Sequence, residues 1–167
     1  RRATLSSTLF SPLRIAMIAP CPFPTRQGTQ VMIRHLCTAL ARAGHDVHLI
    51  TYGYGEYDTD LEFALHRCAY VPTGLRSGPN IMKPAADAAL LLTAKRVIKS
   101  YACDLMHVHN VEGLGIGALL KLQYPLPLIY HAHNAMGPEL PTYFKAHMAQ
   151  AFASMVGEVI DRTFPKI

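Results

Sequence analysis

Two His-x-His pairs, His107 with His109 and His131 with His133, are the most unusual feature of this 167-residue sequence. Each pair closes a short apolar run, and alternate residues of a strand share a face, so both imidazoles of a pair can point the same way. Imidazole exchanges its proton near neutral pH. Such groups suit neutral or cationic donors around a hydroxyl-bearing ligand and a departing phosphate, and His131 and His133 suit that use best. Asn134 offers both a donor and an acceptor to hydroxyl groups, and Glu112 and Glu139 can accept from them. The competing uses are structural: Asn134 capping the turn that follows, and both glutamates facing helix dipoles. Four converging imidazoles also suit zinc. A metal hydrolase needs carboxylate support, however, and only Glu112 and Glu139 lie near. His107 taken alone reads as a core imidazole held by hydrogen bonds.

A second constellation sits in the loop Pro20 to Gly28. It has neither the G-x-G-x-x-G dinucleotide fingerprint nor a Walker loop, which disfavours bound NAD and a P-loop nucleotide. Gly28 nevertheless stands just before a helix start. Backbone N–H groups there can receive a phosphate, glycine permits close approach, and Arg26 adds charge. Equally, Gly28 can simply turn the chain into the helix. No G-x-S-x-G elbow and no Cys/His/Asp arrangement points to a nucleophilic hydrolase. Met17, Met32 and Met106 fall on expected buried faces and read as core.

Alternating strand and helix patterns position these residues. A buried strand over 14–19 leads through the proline-rich loop to a helix over 29–43, which Gly44 stops. A second strand follows over 46–51, then an edge strand over 66–71 before Pro72. Helical spacing marks 84–100, where Leu92 belongs to the apolar pattern and Pro84 to the first turn. Next come a strand over 104–109, a short helix over 112–121 and a strand over 127–132. A last helix over 140–162 carries Met155 and Val159 on the face expected to pack on the sheet. The alternation predicts a Rossmann-like, doubly wound parallel sheet of order 3-2-1-4-5. The loops 20–28, 110–113 and 132–141 then share the carboxyl edge, where such sheets place ligands.

Composition bounds the rest. Half of the residues are apolar and 16% are charged, which excludes an intrinsically disordered chain. The charge is +5, but the basic residues are scattered, as on a solvated surface, and no nucleic-acid signature appears. Four widely spaced cysteines read as reduced thiols of a cytoplasmic protein. No apolar run approaches a membrane span. Residues 1–12 read as a flexible leader, with one domain over 13–167. A basic, fairly apolar domain leaves peripheral contact with the inner face of a membrane open.

The stretches Arg14 to Pro20, Pro24 to Thr29, His35 to Val47, Asp104 to His109 and Pro127 to Asn134 together resemble the N-terminal domain of glycosyltransferase family 4, over about residues 13–167. That resemblance implies one half of a GT-B two-domain architecture. It implies a retaining transferase that moves a sugar from a nucleotide-sugar to a glycan, lipid-linked or small-molecule acceptor, without metal or cofactor. The acceptor is then bound mainly by this half and the donor by a C-terminal domain that this chain does not contain, leaving the chain alone inactive. By the same resemblance His131 approaches the reacting sugar. Gly28, with Arg26 and Thr29, lies near the donor phosphates and the acceptor; the family commonly has a second glycine where this chain has Thr29. His109, Asn110, Glu112, His133, Asn134 and Glu139 are the expected acceptor-side neighbours. A stand-alone glycan- or nucleotide-binding module and a His-ligated metal hydrolase are the alternatives.

Overall fold

The computed structural model describes residues 11–55, 60–69, 83–133, 138, 141 and 147–163. Five strands form one sheet: β1 (Arg14–Ala19), β2 (Asp46–Thr51), β3 (Ala64–Arg67), β4 (Leu105–His109) and β5 (Leu128–His131). The order is β3-β2-β1-β4-β5, and every neighbouring pair is parallel, as the alternation predicts. Four helices are described: α1 (Gly28–Arg42), α2 (Lys83–Tyr101), α3 (Asn110–Lys121) and α4 (His147–Thr163).

The period of two in β1 sorts its side chains onto two cores. Ala16 and Ile18 join Leu90, Ala94, Met106, Val108 and Leu114 beneath α2 and α3. Met17 and Ala19 join Ile33, Cys37, Leu49 and Phe63 beneath α1. A sheet buried on both faces reads as continuous apolar runs, as β1 and β2 do. The same alternation decides where the histidines go. Met106 and Val108 of β4 belong to the α2–α3 core, so His107 and His109 project from the opposite face, the one α1 occupies over β1 and β2.

Local chemistry fixes the ends. Gly44, at φ +95°, closes α1 while the Ala43 and Gly44 amides bond back to Ala39 and Ala41 carbonyls at 3.0 and 2.9 Å. At the amino edge of the sheet, Arg14 grips Asp104 with Nε at 3.0 Å and Nη2 at 2.8 Å, and the Arg14 amide donates to the same carboxylate at 2.9 Å. This fork holds the Asp104 carboxyl down at about 2 and ties the starts of β1 and β4. Gly117 lets α3 lie close on β4 and β5: a Cβ there would stand 2.6 Å from Leu128 Cδ1 and 2.9 Å from Val108 Cγ1.

Several boundaries differ from expectation. The edge strand runs over 64–67 rather than 66–71, because Phe63 enters the α1-side core and starts the pairing earlier. The short helix begins at Asn110, so no loop over 110–113 exists. Asn110 takes φ +61°, a conformation asparagine tolerates, and turns β4 directly into α3. The last helix is described from His147. Leu92, Met155 and Val159, expected on buried faces, are exposed. The expected leader, apart from Ser11 and Pro12, lies outside the described residues.

Candidate functional site

The carboxyl edge is built from the ends of β1, β2, β4 and β5. After β1 the chain runs through a loop pinned by backbone bonds: the Phe23 amide donates to the Tyr54 carbonyl at 3.1 Å and the Tyr52 amide to the Cys21 carbonyl at 3.1 Å. Arg67, at the end of β3, donates to the Phe23 carbonyl through Nε and Nη2 at 3.2 and 2.9 Å. The loop therefore delivers Arg26, Gly28 and Thr29 to the edge from a fixed base. Arg26 and Gly28 are exposed and Thr29 is half-buried. A Cβ at Gly28 would meet nothing within 4 Å, and its φ lies outside the left-handed region. Neither the turn nor packing within the described residues calls for glycine there, so its use as a hinge into the helix loses support. Gln27 gives the first amides of α1 no side-chain cap.

The four histidines gather into one stack. Register sets His109 beside His131 on the adjacent strand. Ring centroids lie 4.7 Å apart for His107 and His109, 5.1 Å for His109 and His131, and 4.7 Å for His131 and His133, with planes within 27°. His109 Nδ1 and His133 Nε2 share a hydrogen bond at 3.0 Å. His109 is fully buried, and the buried Nε2 atoms of His107 and His109 have no partner among the described residues. Among the described residues, nothing satisfies the core imidazole expected at His107 through its Nε2. Burial, then repulsion from the neighbouring imidazoles, pushes His107 down to about 4 and His109 to about 2. Burial and His131 also lower His133. His107 and His109 are therefore neutral at physiological pH, and His133 is shifted toward its neutral form.

Glu112 lies in the first turn of α3, as expected, but Lys83 Nζ holds its carboxylate at 2.6 Å. Beside it, the Tyr52 hydroxyl donates to Asp87 Oδ1 at 2.7 Å, and burial raises the Asp87 carboxyl. Lys83, Asp87 and Tyr52 were not picked out from sequence. The signals were an aromatic residue directly after β2 and a single acid in an otherwise apolar stretch of α2. Asn134 and Glu139 lie outside the described residues.

One ring nitrogen from each of His107, His109 and His131 lies within 4.8 Å of the other two, and no carboxylate belongs to that group. Three of the thiols are poor nucleophiles: burial lifts Cys21 and Cys37 to about 12 and Cys103 to about 11.

Comparison with known proteins agrees with this arrangement. The sequence matches the family described as Glycosyltransferase Family 4 over residues 26–163. A search of curated proteins found no match. Among solved structures, sucrose-phosphate synthase from Thermosynechococcus elongatus superposes with a TM-score of 0.66 at 20% identity, over 89% of this chain and 40% of that one. The glycotransferase of kitacinnamycin superposes with a TM-score of 0.52 at 16% identity, over 93% of this chain and 42% of that one. At these identities the likeness is one of fold, a Rossmann-like domain of the GT-B kind. The chain spans about two fifths of each of these two structures.

Proposed function

We propose, from the premise that the chain belongs to glycosyltransferase family 4, that it is the acceptor-side half of a retaining, metal-independent transferase. The complete enzyme moves a sugar from a nucleotide-sugar to a glycan, lipid-linked or small-molecule acceptor, and a C-terminal domain holds most of the donor. One observation carries this reading. His131 and the start of α1 share the carboxyl edge of one parallel sheet, where the strand order reverses between β1 and β4. Helices leave that point to opposite faces and open a crevice between them.

In this crevice the leaving phosphate meets the first amides of α1, with Gly28 admitting it, Arg26 adding charge and the Thr29 hydroxyl adding a donor. His131 approaches the reacting sugar. Its departure from phosphate and the acceptor's attack occur on the same face, so configuration is retained. Helix amides and cations of the second domain meet the charge that a metal meets in other transferases, which is why none is required. The acceptor rests on His133, Asn134, Glu139 and the Lys83–Glu112 pair. His109, being buried, acts through its bond to His133, and Asn110 sets the start of α3. The boundaries follow: a leader over 1–12 and one domain over 13–167.

Free, buried thiols at all four cysteines favour a cytoplasmic setting. No helix among the described residues is long and apolar enough to cross a membrane, and a net charge of +5 suits peripheral contact with the anionic inner face.

The test is a screen of UDP- and GDP-sugars with a protein that joins this chain to a family C-terminal domain, beside the chain alone. Turnover is expected only from the two-domain protein. His131→Ala should lower kcat by about 100-fold or more, the scale on which positioned acid–base groups act. Turnover by the chain alone, or an unimpaired His131→Ala enzyme, would sink the reading.

A further inference from the structure

We propose that His107, His109 and His131 form a site for a borderline divalent ion of the Zn²⁺ class, bound by three neutral imidazoles. One nitrogen from each ring already lies within 4.8 Å of the other two. Tetrahedral zinc with Zn–N bonds of about 2.0–2.1 Å needs its nitrogens about 3.3 Å apart. The rings are stacked with planes within 27°, so their lone pairs now run side by side, and rotation about χ2 must turn them to a common point, closing the nitrogens by up to about 1.5 Å. The backbone register that brings the three together need not change.

Two further features favour a cation. The Nε2 atoms of His107 and His109 are buried without a partner among the described residues, a cost that a metal bond removes. In His109 the other nitrogen is already engaged: if Nδ1 donates to His133 Nε2 at 3.0 Å, Nε2 is left as the lone-pair end. A ligand imidazole oriented by a bond from its second nitrogen is the usual arrangement in metal sites. Neutral nitrogen ligands without carboxylates select Zn²⁺, Cu²⁺, Ni²⁺ or Co²⁺ over Mg²⁺ and Ca²⁺. An ion held there engages the lone pair of His131, so, resting on the transferase reading above, it excludes the sugar and acts against turnover.

The chain, stripped with a chelator, is titrated with Zn²⁺ by calorimetry and with Co²⁺ by visible absorption. One ion per chain is expected, with a tetrahedral or five-coordinate Co²⁺ spectrum. His109→Gln or His131→Ala should weaken binding by about 100-fold or more, and His133→Ala by about 10–100-fold, the scale of outer-shell losses. His66→Gln removes half of a separate His48–His66 pair, whose facing nitrogens are 3.1 Å apart, and should leave binding intact. Absence of stoichiometric zinc, or zinc that survives in the His109 and His131 variants or vanishes with His66→Gln, overturns the site. Should those variants lose their helix signal, Cu²⁺ spin resonance on the His66→Gln chain decides. Three imidazole nitrogens support the site, and an oxygen-dominated signal overturns it. In the two-domain protein, turnover that persists with zinc bound overturns the exclusion of sugar by the ion.

Discussion

Lowering the pH from 7 to 5 tests the histidine stack directly. In the fold, burial and neighbouring rings hold His107 down at about 4 and His109 at about 2, against about 6.5 in an unfolded chain. Between those values the unfolded chain binds protons that the folded chain refuses. The stability is thus complete above pH 6.5 and is lost as the pH falls toward the folded values. At pH 5, about 1.5 units below the unfolded value, each of the two costs about 2 kcal/mol, from about 1.4 kcal/mol per unit. Together they remove about 4 kcal/mol, a large part of the 5–15 kcal/mol typical of a domain. Urea unfolding at pH 7 and pH 5, with chelator present, measures the loss. The double variant His107→Asn/His109→Asn supplies the reference, because it retains every other titrating group. The wild-type chain should lose about 4 kcal/mol more than the variant over this interval. Equal losses in the two chains would refute the claim that these rings are held neutral by burial.

Other expectations concern packing. Gly117→Ala adds a methyl against Val108, whose β-branched side chain is stiff and buried. Overpacking of about 1–3 kcal/mol outweighs a helix-propensity gain of about 1, so the melting temperature should fall. Gly115→Ala meets nothing within 4 Å and should raise the stability by up to about 1 kcal/mol; thermal unfolding of the two variants gives opposite signs if α3 sits as described. Leu90→Ala empties a fully buried position on the inner face of α2 and should cost about 2–5 kcal/mol in urea unfolding. Tyr52→Phe removes the donor to Asp87, which should raise the Asp87 carboxyl further; carboxyl-resolved NMR titration would show no movement if the bond is absent.

The sheet order was legible because its evidence is local. Buried runs at 14–19 and 46–51 alternate with helical spacing, and Gly44 marks where α1 must stop. The histidine pairs could be seen for the same reason, since two alternate positions of a strand share a face. What brings the pairs together is register across β4 and β5, set by packing and not written in either segment. The tie between Lys83 and Glu112 spans 29 residues of sequence and leaves no spacing to read. Leu92, Met155 and Val159 show another limit: an apolar stripe marks a face but not whether anything covers it. The start of α3 was missed because an asparagine in the left-handed region dispenses with the loop that its sequence suggests.

The central place of β1 has a consequence for how the chain is made. Its partner on one side, β2, follows within about 30 residues, but Arg14 finds Asp104 across 90. As the chain emerges from the ribosome, β1, α1, β2 and β3 can assemble early while the other margin of β1 is still bare. An unpaired strand margin is a template for association with other chains. Until β4 arrives, the nascent protein is therefore most exposed to misassembly along that strand, and the Arg14–Asp104 fork is the contact that ends this interval.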